Sequence, residues 1–223
     1  MKKIGIFGGT FNPIHLGHLR SAEEIREMFQ LSQVIFVPSS DPPHKRKRGI
    51  LPGAVRARMI HLAISEYPLF TLSDLELKRP GKSYSIETLA VFRRMWGEES
   101  SLYFIVGLDA FLEIASWRKY SALFEICHFI IMTRPGFGKI FSLEHLPIEL
   151  VKAFCYDSRK NVYTHFSGYS LFPREITALD ISSTQVRNLL RKGRSVRFRV
   201  PAAVEVFIRK NGLYSPKGID SAG

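Results

Sequence analysis

The sequence has few cysteines and no long apolar run. Cys127 and Cys155 are its two cysteines, and they lie too far apart for a CxxC pair or a zinc-binding spacing. No apolar stretch approaches the ~20 residues that span a bilayer. After Met1-Lys2-Lys3 the first apolar residues lead directly into Gly8-Gly9, which predicts a first strand and not a signal peptide. We therefore expect a cytoplasmic protein with unpaired thiols.

Acidic residues are also scarce relative to basic ones. The chain has 20 Asp and Glu against 32 Lys and Arg, a formal net charge of +12. Such a balance favours anionic partners, which include nucleic acids, nucleotides and acidic membranes. The basic residues concentrate in the stretches 44–48 and 187–199. Most of these side chains are expected on solvated faces, so charge alone does not select one class of partner.

The apolar residues follow an alternating pattern of short runs and amphipathic stretches. Strands are predicted at 4–7, 34–37, 70–72, 102–106 and 129–132, and helices at 19–29, 54–64, 85–96, at an N-terminus marked by Ser182-Ser183-Thr184, and at 203–209. This alternation predicts an α/β fold, a Rossmann-like doubly wound parallel sheet with helices on both faces. We interpret 1–223 as a single domain with a small C-terminal helical part at 182–214. The stretch 137–178 has no clear period and is a candidate insertion.

The first predicted turn, between the first strand and the first helix, carries the strongest functional signal. Gly8-Gly9-Thr10 ends the strand, and His15-Leu16-Gly17-His18 begins the helix. Glycines let the backbone approach a ligand closely, and a helix N-terminus favours phosphate. Histidines three residues apart share a helix face. A metal site would need a third ligand, and no acidic residue lies in register, so the turn predicts phosphate binding without a protein-bound metal.

The same turn carries a resemblance to a known family. Residues 8–18 resemble the signature of the HxGH nucleotidyltransferase superfamily, and further segments resemble one branch of it, the bacterial nicotinate-nucleotide adenylyltransferases. Those segments are Asp41-Pro42-Pro43-His44-Lys45, Arg56, Ser83-Tyr84-Ser85-Ile86-Glu87-Thr88-Leu89, Gly107-Leu108-Asp109, Ser116-Trp117, Ile181-Ser182-Ser183-Thr184-Gln185-Val186-Arg187 and Asn211-Gly212-Leu213-Tyr214. The chain departs from the family pattern at Ser85, where threonine is usual, and at Arg118, where tyrosine is frequent.

The resemblance implies a specific reaction. An enzyme of this branch joins ATP and nicotinate mononucleotide to give deamido-NAD and pyrophosphate in NAD biosynthesis, by direct in-line attack of the mononucleotide phosphate on the ATP α-phosphate. Such a transfer needs positioning and charge neutralisation more than a protein nucleophile. Mg²⁺ would be bound with ATP and have few or no protein ligands. The implied partners are these two substrates, with no specific nucleic acid and no membrane, and a homo-oligomer is left open.

The resemblance also assigns roles to individual residues. His15, His18 and Arg187 are the expected catalytic residues. The expected ATP-binding residues are Gly8, Gly9, Thr10, Phe11, His15, His18, Gly107, Asp109, Arg134, Ile181, Ser182, Ser183, Thr184 and Arg187. The expected mononucleotide-binding residues are His44, Lys45, Arg56, Tyr84, Ser85, Ile86 and Trp117. Trp117 would stack on the pyridine ring, and the N–H groups of Ser85 and Ile86 would meet its carboxylate.

Three alternatives stay open at this point. A related HxGH transferase could use another acceptor, such as nicotinamide mononucleotide, pantetheine phosphate, or glycerol or choline phosphate, although the segments around His44, Tyr84 and Trp117 argue against the last three. A basic nucleic-acid-binding protein would explain the charge, but the sequence has no zinc-finger spacing, RRM motif or basic-region heptads. A non-catalytic nucleotide sensor would share the binding residues and differ in showing no turnover.

Overall fold

The computed structural model describes residues 1–40, 49–133 and 141–215. In this part of the chain, one sheet contains eight strands in the order β3-β2-β1-β4-β5-β8-β7-β6. The strands are β1 (Lys2–Gly9), β2 (Gln33–Pro38), β3 (Phe70–Leu72), β4 (Ser100–Gly107), β5 (His128–Thr133), β6 (Phe154–Asp157), β7 (Val162–His165) and β8 (Ser170–Glu175). The neighbouring strands β3, β2, β1, β4, β5 and β8 pair in parallel. β7 pairs with β8, and β6 with β7, in antiparallel.

Helices connect these strands and complete the C-terminal part. They are α1 (Leu16–Phe29), α2 (Gly53–Ile64), α3 (Leu75–Lys78), α4 (Ser85–Trp96), α5 (Leu108–Phe111), α6 (Tyr120–Leu123), α7 (Ile148–Val151), α8 (Ser183–Arg191) and α9 (Ala202–Lys210), with 3₁₀ turns at Ile114–Ser116 and Leu143–His145. The longer helices lie where the apolar period predicts them. α8 begins at a capping box, in which Ser182 and Gln185 bond each other's backbone N–H groups, as its hydroxyl-rich start predicts.

Two apolar cores lie on opposite faces of the sheet. Successive side chains of a strand point to opposite faces, so in β1 Phe7 belongs to one core and Ile6 to the other. The first core packs the sheet against residues of α1, α2, α8 and α9, and the second packs it against residues of α4, α5 and α6. The predicted α/β fold, a Rossmann-like parallel sheet with helices on both faces, is confirmed.

The stretch predicted as a candidate insertion contributes to the sheet. β6, β7 and β8 lie within it, and β8 pairs in parallel with β5. The apolar side chains of Phe154 and Leu171 join the second core. The sequence analysis did not predict these strands.

The order of the strands fixes where a ligand can approach. β1 lies between β2 and β4, and the chain runs from β1 to β2 and β3 on one side before it crosses to β4 on the other. The loops after β1 and β4 therefore diverge at their carboxyl ends and leave a crevice, which is the usual ligand site of such sheets. Across the described residues, no helix combines the length and apolar character needed to cross a membrane.

Candidate active site

The first turn packs its own residues closely around two glycines. A Cβ atom on Gly9 would lie 2.9 Å from the ring of Phe11, and one on Gly17 would lie 3.0 Å from the ring of His15. The first distance is shorter than real Cβ contacts and the second is at the tight end of their range, so Gly9 allows Phe11 to fold back over the strand end. Gly17 makes room for the His15 ring.

The two histidines form a stacked pair at the start of α1. Their ring centroids lie 3.6 Å apart with an interplanar angle of 26°. The N–H group of His15 donates to Nδ1 of His18 over 3.2 Å, and His15 is 3% exposed. The edges and faces of Phe7 and Phe11 surround the His18 ring. The imidazoles are therefore held in place before any ligand binds.

The start of α8 lies against the first turn. Ser183 donates its hydroxyl to the carbonyl of Pro13 over 2.8 Å. Arg187, one turn further along α8, donates from Nη1 to the carbonyl of Asn12 over 2.8 Å and from Nη2 to Oγ1 of Thr184 over 3.1 Å. Burial lowers the pKa of Arg187 from its usual value. The structure thus brings the N-termini of α1 and α8 and the guanidinium of Arg187 to one place, although His15 and Arg187 are 172 positions apart in the chain.

Asn12 connects the first turn to two distant segments, and the sequence analysis gave it no role. Its Nδ2 donates to the carbonyl of Gly49 over 2.9 Å, while its Oδ1 accepts from the N–H of Leu51 over 3.2 Å and from the hydroxyl of Tyr214 over 2.7 Å. Tyr214 belongs to the Asn211-Gly212-Leu213-Tyr214 segment. Asn12 and Tyr214 each lie in a segment that resembles the family, but that resemblance does not indicate that the two segments are in contact.

Arg56 does not occupy the position predicted for it. It is 1% exposed, and it donates from Nε to the carbonyl of Leu51, from Nη1 to that of Thr10 and from Nη2 to that of Ser39, over 2.7–2.9 Å. Desolvation lowers the pKa of its guanidinium. The predicted direct contact with the mononucleotide phosphate does not fit this position, because the buried side chain binds the carbonyls of the loops after β1 and β2.

A cavity of about 550 Å³ opens between the carboxyl ends of β1, β2 and β4 and the start of α4. Its lining includes the predicted residues Gly8, Gly9, Thr10, Tyr84, Ser85, Gly107 and Trp117. The side chain of Ile86, whose predicted contact is through its backbone N–H, packs against the second core, and Asp109 lies exposed in the first turn of α5. Trp117 stands at an angle of 69° to the ring of Phe104. This volume suits a small nucleotide.

Two polar residues in the cavity wall were missed by the sequence analysis. Glu76 is 8% exposed and accepts a hydrogen bond of 2.7 Å from the hydroxyl of Thr88. Burial raises the pKa of its carboxyl, and the hydrogen bonds from Thr88 and Ser83 oppose that shift. Ser39 also lines the cavity, and its Oγ atom is buried without a hydrogen-bond partner among the described residues.

Three predicted site residues lie outside the described residues. They are His44, Lys45 and Arg134. Within the described ranges, no group of three or more His, Cys, Asp or Glu side chains could hold a metal ion. The site as described therefore consists of a stacked histidine pair, an arginine, two helix N-termini and a cavity with an aromatic wall.

Comparisons with known proteins agree on one family. The family described as cytidylyltransferase-like matches residues 6–189. A relative from Geotalea uraniireducens is 47% identical over 96% of this chain and 98% of its own length, and one from Geobacter sulfurreducens is 43% identical over 97% and 100%. Both are named probable nicotinate-nucleotide adenylyltransferases.

A solved structure supports the same fold. The nicotinic acid mononucleotide adenylyltransferase of Plasmodium falciparum, complexed with NaAD, superposes with a TM-score of 0.73 at 20% identity. The superposition covers 96% of this chain and 98% of that one. At this identity the likeness concerns the fold.

Proposed function

We propose that this chain, which belongs to the nicotinate-nucleotide adenylyltransferase family of cytidylyltransferase-like proteins, joins ATP to nicotinate mononucleotide. The products are deamido-NAD and pyrophosphate. The observation that carries the proposal is the stacked His15–His18 pair, which belongs to the same first turn whose Gly8, Gly9 and Thr10 line a nucleotide-sized cavity. That arrangement offers phosphate-binding groups on one side and an aromatic wall on the other.

The reaction is a single displacement at phosphorus. An oxygen of the mononucleotide phosphate forms a bond to the α-phosphorus of ATP, and the bond from that phosphorus to the oxygen bridging to the β-phosphorus breaks. Pyrophosphate leaves with the bonding electrons. The enzyme must align the two substrates and stabilise the charge that builds on the transferring and leaving groups.

The ATP side of the site contains the groups that this chemistry needs. We infer that His15 and His18 contact the triphosphate near the α-phosphorus, and that Arg187 holds the β- and γ-phosphates together with the backbone N–H groups at the start of α8. The first N–H groups of a helix have no carbonyl partner within it, and the helix dipole favours an anion there. Gly107, at the end of β4 in the cavity wall, leaves space for the adenosine.

The acceptor side is the part of the same cavity that lies next to Trp117 and the start of α4. Trp117 offers an indole face to the pyridine ring, and Ser85 begins α4 with unpaired N–H groups that suit the ring carboxylate. The loop residues His44 and Lys45 stay assigned to the mononucleotide phosphate by the family resemblance. Arg56 contributes indirectly, because its hydrogen bonds to the carbonyls of Thr10 and Ser39 hold two loops that line the cavity.

Mg²⁺ enters the proposal as part of the ATP complex. The described residues near the histidine pair provide cationic and N–H groups and no carboxylate cluster. This set fits an ion held by phosphate oxygens and water. When bound, Mg²⁺ supplies charge neutralisation on the triphosphate.

The test is pyrophosphate release from ATP with a panel of acceptors. We expect rapid release with nicotinate mononucleotide and slow or no release with pantetheine phosphate or with glycerol phosphate plus CTP. The His18→Ala variant serves as the control for a contaminating activity. Equal turnover of several acceptors, or none with nicotinate mononucleotide, would overturn the proposed function.

A further inference from the structure

Arg118 holds a defined position at the wall of the cavity. It follows Trp117 in the chain, and both side chains line the cavity. The guanidinium carbon of Arg118 lies 4.7 Å from the centroid of the Tyr84 ring, and Nη1 lies 3.0 Å from Oε1 of Glu87. A guanidinium stacked on an aromatic face and bound to a carboxylate is restricted in its orientation.

Glu87 lies between two arginines. Its second carboxylate oxygen is 3.3 Å from Nη1 of Arg79. One carboxylate therefore pairs with two guanidiniums, and the cluster keeps a net positive charge. The side chain of Arg79 is 22% exposed and does not line the cavity, whereas that of Arg118 is 53% exposed and does. The excess positive charge is presented to the cavity by Arg118.

The other charged groups of the cavity wall leave room for an anion beside Arg118. In the described part of the wall these are Lys82, Glu76 and Glu113. Glu76 is buried, and its Oε1 accepts a hydrogen bond from Thr88; burial raises the pKa of its carboxyl, which disfavours the charged form. Lys82 adds a second positive charge from the segment that precedes Tyr84.

We propose that Arg118 is a specificity-determining residue, whose guanidinium contacts the pyridine carboxylate of nicotinate mononucleotide and favours the acid over the amide. The inference rests on the proposed function and names a residue for its choice of substrate. The carboxylate would lie between Arg118 and the N-terminus of α4, next to the Tyr84 ring that Arg118 covers. A carboxylate accepts hydrogen bonds from both, whereas a carboxamide directs an N–H₂ donor at one of them and loses that bond.

The test compares two mononucleotides in one variant. For Arg118→Gln we expect kcat/KM for nicotinate mononucleotide to fall about tenfold, as for a lost charge-assisted hydrogen bond at a partly exposed site. The value for nicotinamide mononucleotide should stay within about twofold. Arg118→Lys keeps the charge without the planar fork, so its kcat/KM for nicotinate mononucleotide should lie between the values of the unmodified enzyme and of Arg118→Gln. Dissociation constants from calorimetry give the same ratio if turnover of the amide is too slow to measure.

The matched control is Arg79→Gln, which removes an equal charge from the same Glu87 cluster. In this variant the ratio of kcat/KM for nicotinate mononucleotide to that for nicotinamide mononucleotide should stay within about twofold of the ratio for the unmodified enzyme. A tenfold loss of that ratio in Arg79→Gln would assign the effect to net charge and overturn the contact. An equal fall for both mononucleotides in Arg118→Gln would also overturn it, since it would show a role in holding Tyr84. Failure of the unmodified enzyme to use either mononucleotide would instead refute the proposed function.

Discussion

Tyr214 donates its hydroxyl hydrogen to Oδ1 of Asn12 over 2.7 Å, and so joins two residues that are 202 positions apart in the chain. Asn12 in turn gives its carbonyl to Arg187. The C-terminal segment is therefore connected to the proposed phosphate-binding arginine through one asparagine. Burial raises the pKa of the Tyr214 hydroxyl, which keeps it a hydrogen-bond donor throughout the neutral range.

The Tyr214→Phe variant tests this connection. The ring stays packed, so stability should fall by only about 1 kcal/mol, the usual net value of one hydrogen bond. We expect kcat to fall about tenfold, because Asn12 and the groups that depend on it lose their fixed position. KM for the mononucleotide should not change. Tyr67→Phe, at a residue that is 52% exposed, is the control. An unchanged kcat in Tyr214→Phe would show that the hydrogen bond to Asn12 does not contribute to the reaction.

The histidine pair should act mainly on the chemical step. His18→Ala removes a group proposed to contact the transferring phosphate, and kcat should fall about a hundredfold at saturating substrates, the usual loss for one transition-state contact. His61→Ala, at an exposed position of α2, is the matched control and should retain full activity. A loss below about tenfold for His18→Ala would contradict the proposed role.

Trp117 should act on binding of the mononucleotide. Trp117→Ala removes the aromatic wall of the cavity, and we expect KM for nicotinate mononucleotide to rise about tenfold while KM for ATP stays the same. Trp117→Phe keeps an aromatic face and should show a smaller rise. Steady-state kinetics with each substrate varied in turn measure both values. An unchanged KM in the alanine variant would remove the stacking contact from the proposal.

Arg56 should matter for stability before it matters for binding. Arg56→Met leaves the carbonyls of Thr10, Ser39 and Leu51 without the donor that they share, and the free energy of unfolding should fall by about 3 kcal/mol or more. Arg58→Met changes an exposed arginine of the same helix, and its free energy of unfolding should fall by less than about 0.5 kcal/mol. Denaturant unfolding compares them. A stable Arg56→Met protein with a raised KM for the mononucleotide would restore the direct phosphate contact.

His128 should make stability depend on pH. Burial, with a smaller effect of the Arg93 charge, lowers its pKa from 6.5 to about 4, while its Nδ1 accepts a 3.1 Å hydrogen bond from the N–H of Ser170. The folded protein therefore holds the ring neutral, and the unfolded chain takes up a proton as pH falls below about 6.5. The resulting stabilisation is complete above pH 6.5 and is lost toward pH 4, by about 1.4 kcal/mol per pH unit at most.

His128→Asn provides the measurement. The asparagine Oδ1 can still accept from Ser170, but the side chain does not titrate. Between pH 6.5 and pH 4 the variant should lose less free energy of unfolding than the unmodified protein, by roughly 3 kcal/mol. Parallel slopes for the two proteins would show that folding does not lower the pKa of His128.

The regular parts of the fold could be predicted because their side chains repeat with a clear period. The prediction for α4 matches the structure at both ends, since its apolar residues recur on one helix face. The edge strands could not be predicted in this way. Tyr156 and Phe166 in and beside them are 52% and 78% exposed, so apolar residues on the solvent side obscure the alternation that marks a strand.

The site was predictable where the sequence is contiguous and less so where it is not. The His15–His18 pair lies on one turn, and its proximity follows from spacing alone. The bond from Tyr214 to Asn12 spans most of the chain, and no local pattern indicates it. Arg56 did carry a signal: it stands three and four residues before Met59 and Ile60, two of the buried positions of α2, and this spacing predicts a buried guanidinium.

The bond between Tyr214 and Asn12 also sets an order of events during synthesis on the ribosome. Translation delivers about 5–20 residues per second, so roughly 10–40 s pass between the addition of Asn12 and that of Tyr214. During that interval β1 to β5 can pair as they emerge, but the loop between β1 and α1 lacks the hydroxyl that fixes its asparagine. A nascent chain that has paired these strands would therefore still have an incomplete candidate active site, because the Tyr214–Asn12 hydrogen bond forms only when the C-terminal segment docks.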